Sequence, residues 1–247
     1  MIVVFLFIVI IGYLIYLKGG YNFDNFSYDI ENKTEEKIYK VKDLKKVNII
    51  FFDTETNGLE KESSVLSIAA LKGYIDLESG SFVEKERYQR YYYPKEAFNE
   101  EAININGLSE VEIDRLRENK KANYSKYFSE DLCSFYEFIE GVEHFVAHNI
   151  KFDSMFIKKP LKVKFCTMLT NTSIVKAKRF RNGKYKWPKL EEAAEYFNVG
   201  INHENLHDSL YDVELTVKVF ESMLKHRRGK EYTKRFLIEN KSYLIEI

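Results

Sequence analysis

Proline and cysteine are scarce, with 3 and 2 residues respectively in a chain of 247. So little proline excludes a Pro-rich linker protein. Two cysteines as far apart as Cys133 and Cys166 exclude a small disulfide scaffold and form no C-x-x-C pair, so the chain fits a reducing compartment better than an oxidising one. Net charge is missing too, because 38 Lys+Arg cancel 38 Asp+Glu, and the total therefore says nothing about partners. The 11 glycines show no collagen-like period. What the chain does have is apolar material: 45% hydrophobic residues, including 19 Phe and 18 Tyr, against 31% charged. That balance supports a sizeable core and argues against disorder along the whole chain. The length exceeds the usual range for one domain without requiring two.

Residues 1–17, MIVVFLFIVIIGYLIYL, carry no charge. As a helix they would span about 26 Å, just enough for a thin hydrocarbon layer, and 1–18 reads as a transmembrane anchor. A cleaved signal is an alternative, although a basic start and a small-residue cleavage site are both missing; a buried terminal strand or helix is another. Six lysines lie between Lys33 and Lys46, on the C-terminal side of the span. The positive-inside bias then predicts a single-pass cell-membrane protein with a cytoplasmic body, a purely cytoplasmic protein being the alternative. Residues 19–46 read as a juxtamembrane linker, 47–228 as the globular body and 229–247 as a C-terminal extension.

The body opens with three strand patterns, 47–54, 64–74 and 81–93. A loop and helix through 99–117 follow, then a helix over 128–140, a short strand at 143–147 and a helix at 151–158. Helical stretches near 167–175, 189–198 and 207–226 complete the pattern. Apolar strands alternating with helices predict an α/β fold with helices covering a sheet. Charge is uneven along the chain: residues 1–149 hold 18 basic and 26 acidic side chains, and 158–189 holds eleven basic residues and no acid.

The strand Asn48–Phe52 ends in Asp53-Thr54-Glu55. Alternation puts Asp53 and Glu55 on one face at the C-terminal end of the strand and turns Thr54 away. Chemistry in open α/β sheets gathers at such ends, and two carboxylates about 7 Å apart repel unless a cation sits near both. A solvated strand end would look the same. Asp153 falls in the first turn of a helix after a short strand and the His148-Asn149 turn, where it could simply favour the helix start. Phe152 and Phe156, four apart, suit packing on the sheet. His207 and Asp212 are five apart, so they do not share a helix face, but they can border one cleft if His207 precedes the helix. His203-Glu204-Asn205-Leu206-His207 also matches H-E-x-x-H, a zinc-protease pattern. That chemistry needs both histidines in mid-helix and a third ligand, whereas 198–202 reads as a loop.

Together these pieces resemble the DEDDh group of 3′–5′ exonucleases, of the DnaQ-like and ribonuclease T-like superfamily with a ribonuclease H-like fold. Phe51–Leu59 resembles its first motif, Val146–Asp153 its second, and His207–Asp212 its third with the H-x4-D spacing. Ala102–Ser109 and Trp187–Ala194 also fit, and the likeness covers roughly 47–224. The resemblance implies a mixed sheet flanked by helices, here preceded by the N-terminal hydrophobic helix. It also implies an enzyme that hydrolyses phosphodiester bonds at the 3′ end of single-stranded DNA or RNA and releases nucleoside 5′-monophosphates.

Asp53, Glu55, Asp153 and Asp212 would hold two divalent cations, Mg²⁺ or Mn²⁺, which suit hard oxygen ligands. Asp53 would bridge both ions, and His207 would be the general base, imidazole being the side chain that ordinarily titrates near neutrality. Thr56, Leu59, Asn106, Asn149 and Phe152 would meet the substrate. Asn106 stands where family members commonly carry histidine. In the basic tract, Lys178, Arg179, Arg181, Lys184 and Lys186 would track the nucleic-acid backbone, with 179–186 as a mobile loop closing over the strand. A homodimer and a polymerase or repair complex are further expectations. Outside the resemblance stand a nucleic-acid-binding module without chemistry and, remotely, the zinc protease.

Overall fold

A computed structural model describes residues 45–244. Five strands form one sheet: β1 (Lys46–Thr56), β2 (Val65–Asp76), β3 (Ser81–Tyr91), β4 (His144–Ala147) and β5 (Val163–Cys166). Their order is β3-β2-β1-β4-β5. The β1–β2 and β2–β3 pairs are antiparallel, whereas β1–β4 and β4–β5 are parallel. Among the described residues, eight helices accompany the sheet: α1 (Glu100–Asn106), α2 (Glu110–Asn119), α3 (Phe128–Phe138), α4 (Ile150–Phe156), α5 (Thr167–Val175), α6 (Leu190–Tyr196), α7 (Ser209–Lys225) and α8 (Gly229–Glu239). This is the mixed, helix-flanked sheet of a ribonuclease H-like fold.

The apolar run in β1 shows how the sequence builds two layers. Side chains alternate across a strand, so Ile49 and Phe51 enter one core with Phe165, Phe220 and Phe236, while Ile50 and Phe52 enter the other with Tyr92, Phe135 and Phe145. A central strand covered on both faces reads as a continuous apolar stretch, as Ile49–Phe52 does. Each fully buried side chain of this size contributes about 1.5–3 kcal/mol. The large rings also meet edge-on, Phe51 and Phe220 at 5.4 Å between centroids, the arrangement that aromatic quadrupoles favour.

The strand patterns read as 47–54, 64–74 and 81–93 correspond to β1, β2 and β3. β5 went unread because Val163-Lys164-Phe165-Cys166 is too short to show a period. Its outer edge is met by the 229–247 segment, where the Ser242 hydroxyl accepts the Lys164 N–H at 2.9 Å. Tyr243 donates its N–H to the Lys164 carbonyl at 2.8 Å and accepts the Cys166 N–H at 2.9 Å. That segment also supplies α8, whose Phe236 and Leu237 are buried in the larger core. Gly229 lets α8 pack against α7, since a Cβ there would lie 2.6 Å from the Met223 carbonyl oxygen. The opposite edge strand, β3, has a bulge where its pairing with β2 shifts between Lys72 and Gly73.

The membrane expectation needs correction. Among the described residues no helix is long and apolar enough to cross a membrane; the longest, α7, has 17 residues and carries charge along one face. The apolar stretch 1–17, the predicted N-terminal helix and all but the last two residues of the 19–46 linker lie outside the described residues. The described residues therefore do not support a single-pass membrane location.

β4 stops short of the end of β1. The parallel pairing covers only Ile49–Phe51, so among the described residues β1 runs on from Asp53 with β2 as its only strand neighbour. Chain leaving β4 turns at His148-Asn149 into α4 and comes back over that open end.

Candidate active site

Three chain segments meet at the end of β1. The first supplies Asp53 and Glu55 on one face, both half-buried. The second is α4, whose Asp153 is buried. Its Oδ1 accepts the Thr54 backbone N–H at 3.0 Å and the Thr54 hydroxyl at 2.8 Å. Thr54, which alternation turns to the opposite face, is thus the anchor for the second acid. The third segment is the start of α7. Asp208 caps it by accepting the N–H groups of Leu210 and Tyr211, which leaves Asp212 in the first turn. A hydrogen bond of 2.6 Å between the buried hydroxyls of Ser67 and Ser209 fastens this turn to β2. Ser67 is the register partner of Glu55, so the bond also fixes α7 against the Glu55 strand position.

His207 lies just outside α7, exposed, in the left-handed backbone region at φ +69°. Its N–H donates to Asp212 Oδ2 at 3.2 Å. The five-residue spacing therefore needs no shared helix face: one ligand atom from each of Glu55, His207 and Asp212 falls within 4.8 Å of the others. His203 belongs to a 3-10 turn, His203–Asn205, and stands outside this group, so the two histidines of H-E-x-x-H do not form a mid-helix pair.

Asn106 bonds inward. Its Nδ2 donates to the Thr56 carbonyl at 3.2 Å and its Oδ1 accepts the Leu108 N–H. Thr56, Leu59, Asn106 and Phe152 line a cleft of about 750 Å³ beside Glu55. Leu59, 81% exposed, and Ile105, 61% exposed, present apolar surface on it. Asn149 precedes α4 and is exposed, outside the residues lining that cleft. A second cleft of about 600 Å³ lies on the other side of Asn106 and includes His207 and Arg115.

The basic tract expected as a mobile loop is a hydrogen-bonded hairpin. Phe180 N–H donates to the Lys184 carbonyl, Lys186 N–H to the Lys178 carbonyl, and Gly183 N–H to the Phe180 carbonyl across the turn. Lys178, Arg179, Arg181 and Lys184 are exposed. Lys186 departs from the expected set because it is ion-paired with Glu192 at 2.8 Å.

A family model described as Exonuclease, RNase_T, matches residues 50–220. The chain belongs to this exonuclease family. Its fold and family are those of a DnaQ-like 3′–5′ exonuclease with a ribonuclease H-like sheet. It is 27% identical over 190 residues to the PolC-type DNA polymerase III of Staphylococcus haemolyticus (strain JCSC1435), covering 76% of this chain and 12% of that protein. It is 26% identical over 196 residues to the 3′–5′ exonuclease DinG of Bacillus subtilis (strain 168), covering 76% of this chain and 19% of that protein. The chain thus spans only a small part of these curated relatives. Among solved structures, E. coli Exonuclease I in complex with a dA16 oligonucleotide superposes with a TM-score of 0.57 at 13% identity, over 75% of this chain and 42% of that one. Exonuclease X in complex with 5′ overhanging duplex DNA gives 0.50 at 20% identity, over 72% and 91%. A form of the E. coli Exonuclease I–ssDNA complex is known with zinc ion bound.

The electrostatics of the exonuclease domain show how well a cation would fit. Burial and the neighbouring Asp153 raise the Asp53 carboxyl well above its usual range, with Glu55 and Asp212 adding to the rise. Burial and Asp212 do the same to Glu55, partly opposed by the Asn106 hydrogen bond. Burial pushes Asp153 up to about 7 against its Thr54 hydrogen bonds, and pushes Asp212 up to about 7 against the His207 N–H. Asp212 Oδ1 is buried without a hydrogen-bond partner. Desolvated carboxylates that repel one another and leave an oxygen unpaired are what a divalent cation would relieve, so these residues fit the metal the family uses.

Carboxylates whose folded values lie above their unfolded ones hold protons that the unfolded chain has released, so stability falls as pH rises from about 4 to 7. The metal-free domain is expected to melt lower at pH 8 than at pH 5, and Mn²⁺ should restore stability at pH 8 with little effect at pH 5. A domain of this size shifts by about 2–4 °C per kcal/mol, so scanning calorimetry in chelator and in Mn²⁺ reads the effect directly. A melting temperature that rises with pH in chelator would contradict this account of the site.

Proposed function

We propose that the chain is a metal-dependent exonuclease that removes nucleotides one at a time from the 3′ end of single-stranded DNA or RNA, with Mg²⁺ or Mn²⁺ as cofactor. The observation that carries this reading is the meeting of Glu55, His207 and Asp212 within ligand distance beside Asp53 and Asp153. Asp53, Glu55, Asp153 and Asp212 would hold the ions, four hard oxygen donors suiting Mg²⁺ or Mn²⁺ better than zinc. When bound, a pair of such ions stabilises the attacking and leaving oxygens of the phosphodiester.

The residues of the chain divide the remaining work. His207, exposed at the mouth of the site, takes the proton from the attacking water at a ring nitrogen. Its backbone N–H keeps Asp212 turned toward the cation position. Asn106 braces the strand next to Glu55 through the Thr56 carbonyl, and Thr54 holds Asp153.

Charge sets the polarity of the strand. The cleft beside Glu55 is lined by Glu55, Glu60, Glu62, Glu96 and Glu101 with no lysine, arginine or histidine. It therefore suits an uncharged sugar and base at a 3′-hydroxyl end, with Leu59 and Ile105 against the base. The exposed cations of the hairpin suit the phosphates on the 5′ side, and Phe180, 48% exposed, offers a stacking face.

The direct test incubates 5′-labelled single-stranded DNA and RNA oligomers with the full chain while the metal is varied. The expected result is a ladder shortened by single nucleotides that requires Mg²⁺ or Mn²⁺ and stops in chelator. Salt-dependent binding without metal-dependent shortening would instead leave a nucleic-acid-binding module.

A further inference from the structure

The hairpin and the Asp153 helix share one half-buried side chain that the mechanism does not use. His148 sits at the turn from β4 into α4. Its Nε2 lies 3.0 Å from the Pro188 carbonyl oxygen and its Nδ1 lies 3.0 Å from the Thr167 hydroxyl. A carbonyl only accepts, so Nε2 carries the proton and the neutral ring takes the Thr167 hydroxyl proton at Nδ1. Burial pushes the imidazole down to about 4, so this arrangement persists throughout the neutral range. The His148 carbonyl in turn accepts the Met168 N–H at 2.9 Å, which locks the residue to the start of α5.

Pro188 stands two residues past Lys186, where the hairpin's last cross-strand hydrogen bond forms. The next cations are already committed: Lys186 to Glu192 and Lys189 to Glu191. Lys178, Arg179, Arg181 and Lys184 form no ion pair among the described residues. The hairpin is therefore a short, internally bonded arm carrying exposed cations without ion pairs, and its C-terminal leg is tied to the β4–α4 turn through the His148–Pro188 bond. Five residues beyond His148, the same turn delivers Asp153.

We propose that His148 is a positioning residue that fixes the basic hairpin 178–186 relative to the Asp153 helix, and so sets how tightly long strands bind without entering the chemistry. The idea rests on the exonuclease reading above. A dinucleotide has only the scissile phosphate and leaves nothing for the arm to hold. A 20-mer presents phosphates to it.

The test compares the full chain with H148N and H148Q. Glutamine places its terminal NH₂ near the position of Nε2 and keeps the bond to Pro188, whereas asparagine is too short; both retain a polar side chain, and H148A serves as a third variant if it folds. Three readouts are taken. In hydrogen exchange, the amides of 178–186 should exchange about tenfold faster in H148N, the loss of roughly one net hydrogen bond, with the sheet unchanged and H148Q close to wild type. On a 20-mer, H148N should raise KM about tenfold and flatten its dependence on salt, with kcat held. On a dinucleotide, H148N and H148Q should match wild type within about twofold.

Equal exchange of 178–186 in wild type and H148N overturns the proposal whatever the enzyme activity, as does a loss of kcat on the dinucleotide equal to that on the 20-mer. A wild-type chain that shortens neither substrate removes the exonuclease reading instead, a result that the exchange data keep separate.

Discussion

Asp212→Asn is expected to remove metal-dependent turnover and, at the same time, to raise the melting temperature of the metal-free protein. Among the described residues Asp212 belongs to the one group within ligand distance, its Oδ1 has no hydrogen-bond partner, and burial raises its carboxyl to about 7. Asparagine keeps an oxygen to accept the His207 N–H and turns an NH₂ toward the neighbouring carboxylates. An orphaned acceptor and a like-charge contact become a hydrogen bond, a gain of about 1–3 kcal/mol. The cation loses a charged ligand, and kcat/KM should fall by roughly 10³-fold or more, since each 1.36 kcal/mol of transition-state stabilisation is tenfold. Asp53→Asn should behave alike, because burial together with Asp153, Glu55 and Asp212 holds its carboxyl well above the usual range. Calorimetry in chelator at pH 8 and initial rates on a labelled oligomer read the two effects. A variant that is inactive and less stable than wild type would mean that the carboxylates support the fold rather than strain it.

His207→Asn should lower kcat by about 10²–10⁴-fold, the usual worth of a positioned general base, while KM and the metal requirement stay close to wild type. The choice of asparagine matters because the backbone here has φ +69°. Asparagine tolerates that region, whereas alanine there would add strain of about 1 kcal/mol. The Asn and Ala variants should therefore be equally slow but differ in melting temperature. The backbone N–H that holds Asp212 Oδ2 survives both changes, so the metal site should remain assembled. A variant that loses metal affinity in parallel with rate would assign His207 to the cation rather than to the proton.

The reach of the sequence follows the range of the interactions. The strand ending in Asp53-Thr54-Glu55, the short β4 and the turn into α4 were legible because apolar alternation and the position of a turn are local properties. Asp53, Glu55, Asp153, His207 and Asp212 were legible as an ordered set of short motifs. β5 was not, with only Val163, Phe165 and Cys166 to mark it. Neither was α8, whose Phe236 and Leu237 follow Arg227-Arg228-Gly229-Lys230 and lie among further charged residues.

The partners that hold the acids in place were hidden for a different reason. Thr54 meets Asp153 across 99 residues and Ser67 meets Ser209 across 142, and no pattern in a single chain announces such pairs. Alternation even pointed away from Thr54, since it tracks strand faces and knows nothing of a helix folding back over the strand end. Asn106 lines the cleft and also donates to the Thr56 carbonyl across 50 residues, a brace on the strand end that its place in the motif does not reveal.

The two margins of the sheet also bear on how molecules of this chain meet at high concentration. On one side Tyr243 occupies the hydrogen-bonding row of β5. On the other, β3 presents Glu84, Lys85, Glu86 and Arg87 together with its bulge. A strand that is already paired and a strand that is charged and kinked both resist templated growth, so neither end of the sheet offers a seed for fibrillar stacking.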